Sequence, residues 1–200
     1  CHDLQLQAPS YLDIGAGDPV LSNNTYALYL TGSRGVLVEP NPALVRKLKA
    51  VRPGDVVVAC GVGLEAATAA DYFVIRGRWP LNTFSRETVA EYRRQSEADP
   101  VERVLKMPLI PINRLLDDHF KGAPDLLSID IEGLDLAVLR SMDFRAHRPA
   151  AICAETKKPG MSHDNTPVAR LLRAEGYVAC AGSLYNTIFV DRSRLQVRRG

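Results

Sequence analysis

Two hundred residues carrying 25 basic and 23 acidic side chains, a net charge of +2, create no field strong enough to gather nucleic acid or an anionic membrane. A hydrophobic fraction of 46% beside 24% charged residues excludes disorder and supports one continuous core, and the length is too short for two ordinary α/β domains. No stretch approaches the ~20 apolar residues of a membrane span, and the first residues have neither the basic start nor the apolar run of a secretion signal. We therefore expect a soluble, cytoplasmic protein with a single domain over residues 1–200. The chain starts at Cys1 rather than Met and reaches a strand almost at once, which leads us to expect a further N-terminal element before it.

Tyr11-Leu12-Asp13-Ile14 reads as a short apolar strand running into the glycine turn Gly15-Ala16-Gly17-Asp18-Pro19, and Asn24 to Leu30 as helix. Gly35 to Glu39 is a second strand stopped by Pro40-Asn41-Pro42, and Ala43 to Val51 an amphipathic helix with Leu44, Leu48 and Val51 on one face. Asp55 to Cys60 is a third, buried strand ending at Gly61. This β-α-β-α-β order predicts a parallel sheet with right-handed crossovers. The rhythm then breaks: a strand at Tyr72–Ile75, a polar helix over Ser85–Ala98 and a strand at Val104–Ile110 form an insertion near residues 70–110. Alternation resumes with the strand Asp125–Asp130, the helix Leu134–Ser141, the strand Ala150–Glu155 and the helix Pro167–Glu175. A hairpin of Tyr177–Ala181 and Thr187–Val190 closes the sheet. Cys60, Cys153 and Cys180 fall in apolar strand-like segments, and with Cys1 they form no metal or disulfide spacing, so we expect buried free thiols and a reducing compartment.

Chemistry concentrates at three strand ends. Asp13-Ile14-Gly15-Ala16-Gly17 followed by Glu39 matches a turn that lets backbone approach a ligand, with an acid about twenty residues on to hold ribose hydroxyls. A third glycine, which dinucleotide sites use to bring a pyrophosphate onto a helix N-terminus, is replaced by Val20. Asp13 and Asp18 are poor neighbours for a pyrophosphate and suit the cationic sulfonium of S-adenosylmethionine, whose amino-acid part Asn23 and Asn24 can reach; both asparagines equally suit a helix cap. Asp130-Ile131-Glu132-Gly133-Leu134-Asp135 clusters acids that repel unless something binds them, and Asp135 suits the following helix N-terminus. Glu155 ends the next strand, before Thr156-Lys157-Lys158 and the loop carrying His163 and Asp164. Asp130 and Glu155 are placed to hold Mg²⁺ or a similar divalent ion; alternatively one of them, Glu132 or His163 acts as base.

These blocks resemble the FkbM-type family of S-adenosylmethionine-dependent methyltransferases. The resemblance runs through Asp13 to Gly17, Ser22-Asn23-Asn24-Thr25-Tyr26, Gly35 to Pro42, Leu81-Asn82-Thr83-Phe84, Leu127 to Ser141, and Arg148-Pro149 before Glu155. It implies the class I methyltransferase fold: a Rossmann-like α/β sheet, mostly parallel, with an antiparallel last strand. It also implies that Asp13, Gly15 and Gly17 shape the cofactor turn, that Glu39 holds the ribose and that Asp130 sits beside the methyl group, with Ala16, Asn24, Pro40, Asn41 and Gly61 completing the expected cofactor-binding set. Asp18-Pro19 departs from the asparagine and glycine many members carry. Members methylate hydroxyls of sugars or polyketides, and relatives with the Leu-Asn-Thr-Phe variant are similar to proteins of polysaccharide biosynthesis. We expect O-methylation of a small-molecule or glycan acceptor, with Asp130, Glu132 or Glu155 removing its proton. The insertion would cover that acceptor through Trp79, Phe84 and Tyr92, with Arg86, Arg93 and Arg94 as its grip. The alternatives are an NAD(P)-dependent oxidoreductase and a non-catalytic nucleoside-binding module.

Overall fold

The computed structural model describes residues 4, 6–64, 68–95, 97–156 and 165–195. The first half-sheet is built from β1 (Tyr11–Ile14), α1 (Tyr26–Leu30), β2 (Gly35–Val38), α2 (Pro42–Val51) and β3 (Val56–Val58). β4 (Gly61–Gly63), β5 (Ala69–Ile75), α3 (Arg86–Arg94) and β6 (Val101–Pro111) form the insertion, and α4 (Ile112–His119) returns the chain to the main body. β7 (Leu126–Ile129), α5 (Asp135–Ser141), β8 (Ala151–Glu155), α6 (Pro167–Ala174), β9 (Tyr177–Gly182) and β10 (Asn186–Asp191) complete the second half.

Seven strands lie in the order β3-β2-β1-β7-β8-β10-β9, and the insertion makes a separate sheet in the order β4-β6-β5. The first five strands of the main sheet run parallel, while β10 is antiparallel to both β8 and β9. This is the mostly parallel α/β sheet with antiparallel C-terminal strands that the alternation of segments implied. Leu12, Ile14, Leu127, Ile129 and Ile152 are almost fully buried and form its core with Leu115, Leu116, Leu139 and Leu172 from the helices. Two helix starts show how local sequence sets boundaries: Asn41 Oδ1 accepts from Ala43 N at 3.0 Å before α2, and Thr166 Oγ1 from Ala169 N at 3.3 Å before α6. Each is followed by proline at the first helical position, where a missing N–H costs nothing.

Register decides where function can sit. Ile14 lies beside Val38 on one side and Ile129 on the other, and Ile129 lies beside Ala154. The next residues, Gly15, Glu39, Asp130 and Glu155, therefore come into one row at the carboxyl edge. The crevice of such a sheet opens where the strand order reverses, here between β1 and β7.

Several expectations are corrected. The third strand is a sheet edge rather than a buried strand, shorter than expected, and Val56 is exposed. Cys60 and Cys153 are buried, whereas Cys180 is exposed because β9 is the other edge strand; Cys1 lies outside the described residues. The helix α4 and the short strand β4 were not anticipated. In α4 the buried Ile112, Leu115 and Leu116 have helical spacing, but no side-chain cap announces the start, and β4 begins at Gly61, which reads as the end of the third strand.

Candidate active site

Gly15 and Gly17 have φ of +81° and +61°, in the left-handed region that penalises a side chain. Space forbids one as well: a Cβ on Gly15 would lie 2.0 Å from the Asp130 carbonyl oxygen, and one on Gly17 2.6 Å from the Trp79 ring. The turn is thus glycine because it touches the end of β7 directly. Glu39, only 3% exposed, clasps this turn to the start of α2: its Oε2 accepts from Gly17 N at 2.9 Å and its Oε1 from Asn41 N at 2.7 Å. Burial pushes its carboxyl up to about 7, against the pull of those two N–H groups.

Glu39 lines a tight cavity of about 60 Å³ with Gly15, Gly17, Pro40, Gly61 and Asp130. Ile14, Val38, Leu44 and Val62 give it apolar walls, and Tyr72, Trp79, Asn82 and Phe84 reach in from the insertion. Trp79 packs on Gly17 and Phe84 on Gly61, where an added Cβ would meet the ring at 2.3 Å. These two aromatic residues narrow the cavity. The sequence suggests both as acceptor cover; here Trp79 stands against the glycine turn and Phe84 against Gly61, because Phe73 and Thr83 pair as an isolated bridge that folds residues 79–84 back onto β5.

Behind the turn lies a buried polar network. Arg52, fully buried, donates from Nε to Asp55 Oδ2 at 2.8 Å, from Nη1 to Asn23 Oδ1 at 2.9 Å, and from Nη2 to Tyr11 Oη at 2.9 Å and Thr25 Oγ1 at 3.0 Å. Thr25 Oγ1 in turn donates to Asp13 Oδ2 at 2.7 Å, and Asn23 Nδ2 to the Ala16 carbonyl at 2.8 Å. Asp13 and Ala16 thus sit behind the cavity and shape the turn. Asp18 turns outward, its Oδ1 accepting from Val20 N and Leu21 N, both at 3.1 Å, and its Oδ2 3.5 Å from Lys47.

On the other side of Asp130 opens a second, polar cleft of about 450 Å³, bordered by Asp130, Glu132 and Glu155 together with Asn24, Ser183, Tyr185 and Asn186. Asp130 and Glu132 line both spaces. Burial pushes the Asp130 carboxyl up to about 8, and the neighbouring charges of Asp135, Glu155, Glu132 and Asp13 push the same way. Glu132 is held at φ +50°; its carbonyl accepts from Thr83 Oγ1 at 3.2 Å and its Oε2 from Tyr92 Oη at 3.4 Å. Asp135 Oδ1 accepts from Ile131 N at 3.2 Å at the start of α5, the helix-end position its sequence context suggested.

The expected cofactor set therefore divides. Gly15, Gly17, Glu39, Pro40, Gly61 and Asp130 converge on the tight cavity; Asp13, Ala16 and Asn41 support it from behind; Asn24 faces the polar cleft, donating to Ser128 Oγ at 3.1 Å. The three acids proposed for catalysis meet at the cleft. The Mg²⁺ expectation at Asp130 and Glu155 gains no support, because among the described residues no group of three or more His, Cys, Asp or Glu side chains is arranged to hold a metal ion. Arg86 pairs with Asp71 and Arg93 with Asp99 on the surface, away from both spaces. Lys157, Lys158, His163 and Asp164 lie outside the described residues. Ser183, Tyr185 and Asn186 were missed as site residues because they lie in the terminal hairpin turn, where nothing local marks them.

No helix among the described residues is long and apolar enough to cross a membrane. No curated protein matches the chain. Among solved structures, the methyltransferase FkbM from Methylobacillus flagellatus KT is 16% identical with a TM-score of 0.48, the alignment covering 91% of this chain and 43% of that one. This chain thus spans less than half the length of that protein. The model of the methyltransferase FkbM domain matches residues 13–179, from the first acid of the glycine turn, through the insertion and all three catalytic candidates, to the last edge strand, and on that match the chain belongs to the FkbM methyltransferase family.

Proposed function

We propose that the protein is an S-adenosylmethionine-dependent O-methyltransferase acting on a hydroxyl of a sugar, glycan or polyketide-like acceptor. The observation that carries this reading is the shared wall: Asp130 and Glu132 separate a tight apolar cavity floored by a glycine turn from a wide polar cleft lined with amides and hydroxyls. The residues fit the cofactor. Each oxygen of Glu39 accepts one N–H and the Tyr72 hydroxyl adjoins the same carboxylate; with two lone pairs on each oxygen, Glu39 keeps room to accept a ribose hydroxyl. Apolar walls suit a purine, and the carboxylates of Asp130 and Glu132 suit a cationic sulfonium.

S-Adenosylmethionine supplies an electrophilic methyl group on a sulfonium leaving group. The chain positions the acceptor in line with it, an effect worth roughly 7–11 kcal/mol when alignment is good. Asn24, Ser183, Tyr185 and Asn186 orient the acceptor. Asp130 takes the hydroxyl proton as the new C–O bond forms, with Glu132 and Glu155 tuning its affinity for that proton. The described wall of the cleft carries carboxylates and no Lys or Arg, which favours a neutral, hydroxyl-rich acceptor over an anionic one. Free thiols at Cys60, Cys153 and Cys180 suit a reducing, cytoplasmic setting.

Trp79 is the sole tryptophan of the chain, and it stands against the glycine turn. Titration with S-adenosylhomocysteine should change its fluorescence, and incubation with methyl-labelled S-adenosylmethionine and candidate glycans should yield labelled product. Thermal stabilisation by NAD and not by S-adenosylhomocysteine would reverse the reading in favour of an oxidoreductase.

A further inference from the structure

The insertion contributes a polar side chain whose hydrogen-bonding capacity the fold leaves half used. Asn82 follows the 3-10 turn Trp79–Leu81 and is 8% exposed. Its Oδ1 accepts from Ile75 N at 2.8 Å. That contact fixes the amide: the oxygen must face the β5 N–H, so the nitrogen must face the other way. There Nδ2 is buried without a hydrogen-bond partner, and the residue lines the tight cavity together with Glu39. The Tyr72 hydroxyl adjoins both groups: it donates toward the Glu39 carboxylate, and the Asn82 amide faces it closely enough to favour its ionised form, yet the amide contact falls short of hydrogen-bond geometry and leaves Nδ2 unsatisfied. A buried donor left unmade is costly, and native interiors keep few. Among the described residues two side-chain atoms show this state besides Asn82 Nδ2, on Ser33 and Asn186, and neither of those residues lines this cavity.

Resting on the reading of this cavity as a nucleoside site, we infer that Asn82 is a cofactor-binding residue whose Nδ2 donates to an acceptor atom of the nucleoside, a ribose oxygen or a ring nitrogen. The folding-back of residues 79–84 onto β5 then has a second purpose beyond covering the glycine turn. It delivers a donor to the cavity that Glu39 lines with an acceptor, so that the pocket presents one group of each kind. A pocket built this way also discriminates: a ligand lacking the matched acceptor leaves the buried donor unpaired, which costs more than the lost contact alone.

The test uses Asn82→Asp, which keeps the oxygen for Ile75 N and replaces the donor with a second acceptor. Binding of S-adenosylhomocysteine, and of adenosine analogues lacking one ring nitrogen or one ribose hydroxyl, is measured by calorimetry for wild type and variant. We expect S-adenosylhomocysteine to bind the variant at least about tenfold more weakly. One analogue should bind wild type more weakly than adenosine does, and that difference should vanish in the variant, a non-additivity that a purely structural role does not produce. Equal affinity in both proteins, or no analogue behaving in this way, overturns the inference while leaving the nucleoside reading intact. Failure of the wild type to bind S-adenosylhomocysteine at all overturns that reading and this inference together. A second measurement needs no variant: the Asn82 side-chain amide resonances of the wild type should shift on adding S-adenosylhomocysteine, and unmoved resonances overturn the assignment.

Discussion

Two groups of buried charges flank the first strand, and they are built on opposite plans. Behind the glycine turn, Arg52 and Asp55 lose their water together, both side chains fully buried. Between them they engage Tyr11, Asn23, Thr25 and the Gly35 N–H. In front of the turn, Asp130 stands among Asp135, Glu155, Glu132 and Asp13, and every one of these neighbours opposes its ionisation. A charged pair in a low-dielectric interior persists only when its partners repay desolvation. The first group is repaid inside the protein. In the second, the neighbours of Asp130 add repulsion to its desolvation, and a cation or a transferred proton relieves it. The difference separates the residues that hold the turn in place from those offered to a ligand.

The largest expected effect comes from breaking the repaid group. Arg52→Met leaves the Asp55 carboxylate buried without its cation and should cost about 3–5 kcal/mol of stability, read as a lower midpoint in urea unfolding; adding Asp55→Asn should recover part of the loss. An unchanged midpoint would mean that the network is not holding the turn. Removing the opposed Asp130 carboxylate should do the reverse to stability and much more to turnover. Asp130→Asn should lower kcat by roughly 10²–10⁴-fold while leaving the melting temperature equal to or above that of wild type at pH 8. Glu39 bridges the two regions, and Glu39→Gln should weaken S-adenosylhomocysteine by about 10- to 100-fold. The reason is that the amide can accept from only one of the Gly17 and Asn41 N–H groups and presents its own donor to the other. Equal dissociation constants for variant and wild type would sink that expectation.

The half of this contrast readable from sequence is the one that lines the cavity and the cleft. Gly15, Glu39, Asp130 and Glu155 all follow apolar strands, and the alternation of strands and helices predicts one carboxyl edge; register then aligns them. The supporting half was not readable. Arg52 sits among basic helix residues that solvent explains equally well, and its burial depends on Tyr11, 41 positions earlier, and Thr25, 27 positions earlier. No periodicity encodes such pairings. Asn24 and Asn186, 162 positions apart, border the polar cleft and approach each other across it at 3.4 Å. The edge positions of the third strand and of Cys180 were misread because apolar strand sequence does not say how many neighbours a strand has. That Trp79 and Phe84 line the tight cavity was not legible either, because the Phe73–Thr83 bridge that folds their segment back leaves no local mark.

The smallest effect, and the one that isolates the electrostatic part of the contrast, is the pH dependence of stability without ligand. Asp130 and Glu39 have carboxyls raised to about 8 and about 7 in the folded protein, well above the usual carboxylate range of the unfolded chain. Between that range and pH 8 the native state holds protons that the unfolded state has released, so stability falls as pH rises. The contribution is complete below about pH 4 and is lost as pH rises through the folded values. Melting temperatures measured from pH 5 to pH 8.5 should therefore decline, and the decline should be shallower in Asp130→Asn, which has no proton to lose there. Saturating S-adenosylmethionine should flatten the curve in the wild type, because a bound sulfonium favours the ionised carboxylate and lowers its pKa. S-Adenosylhomocysteine, which lacks that positive charge, should raise the melting temperature while flattening the curve less. Equal flattening by both compounds would show that the opposed carboxylates do not sense the sulfonium, and the division of labour between the two regions would have to be drawn elsewhere.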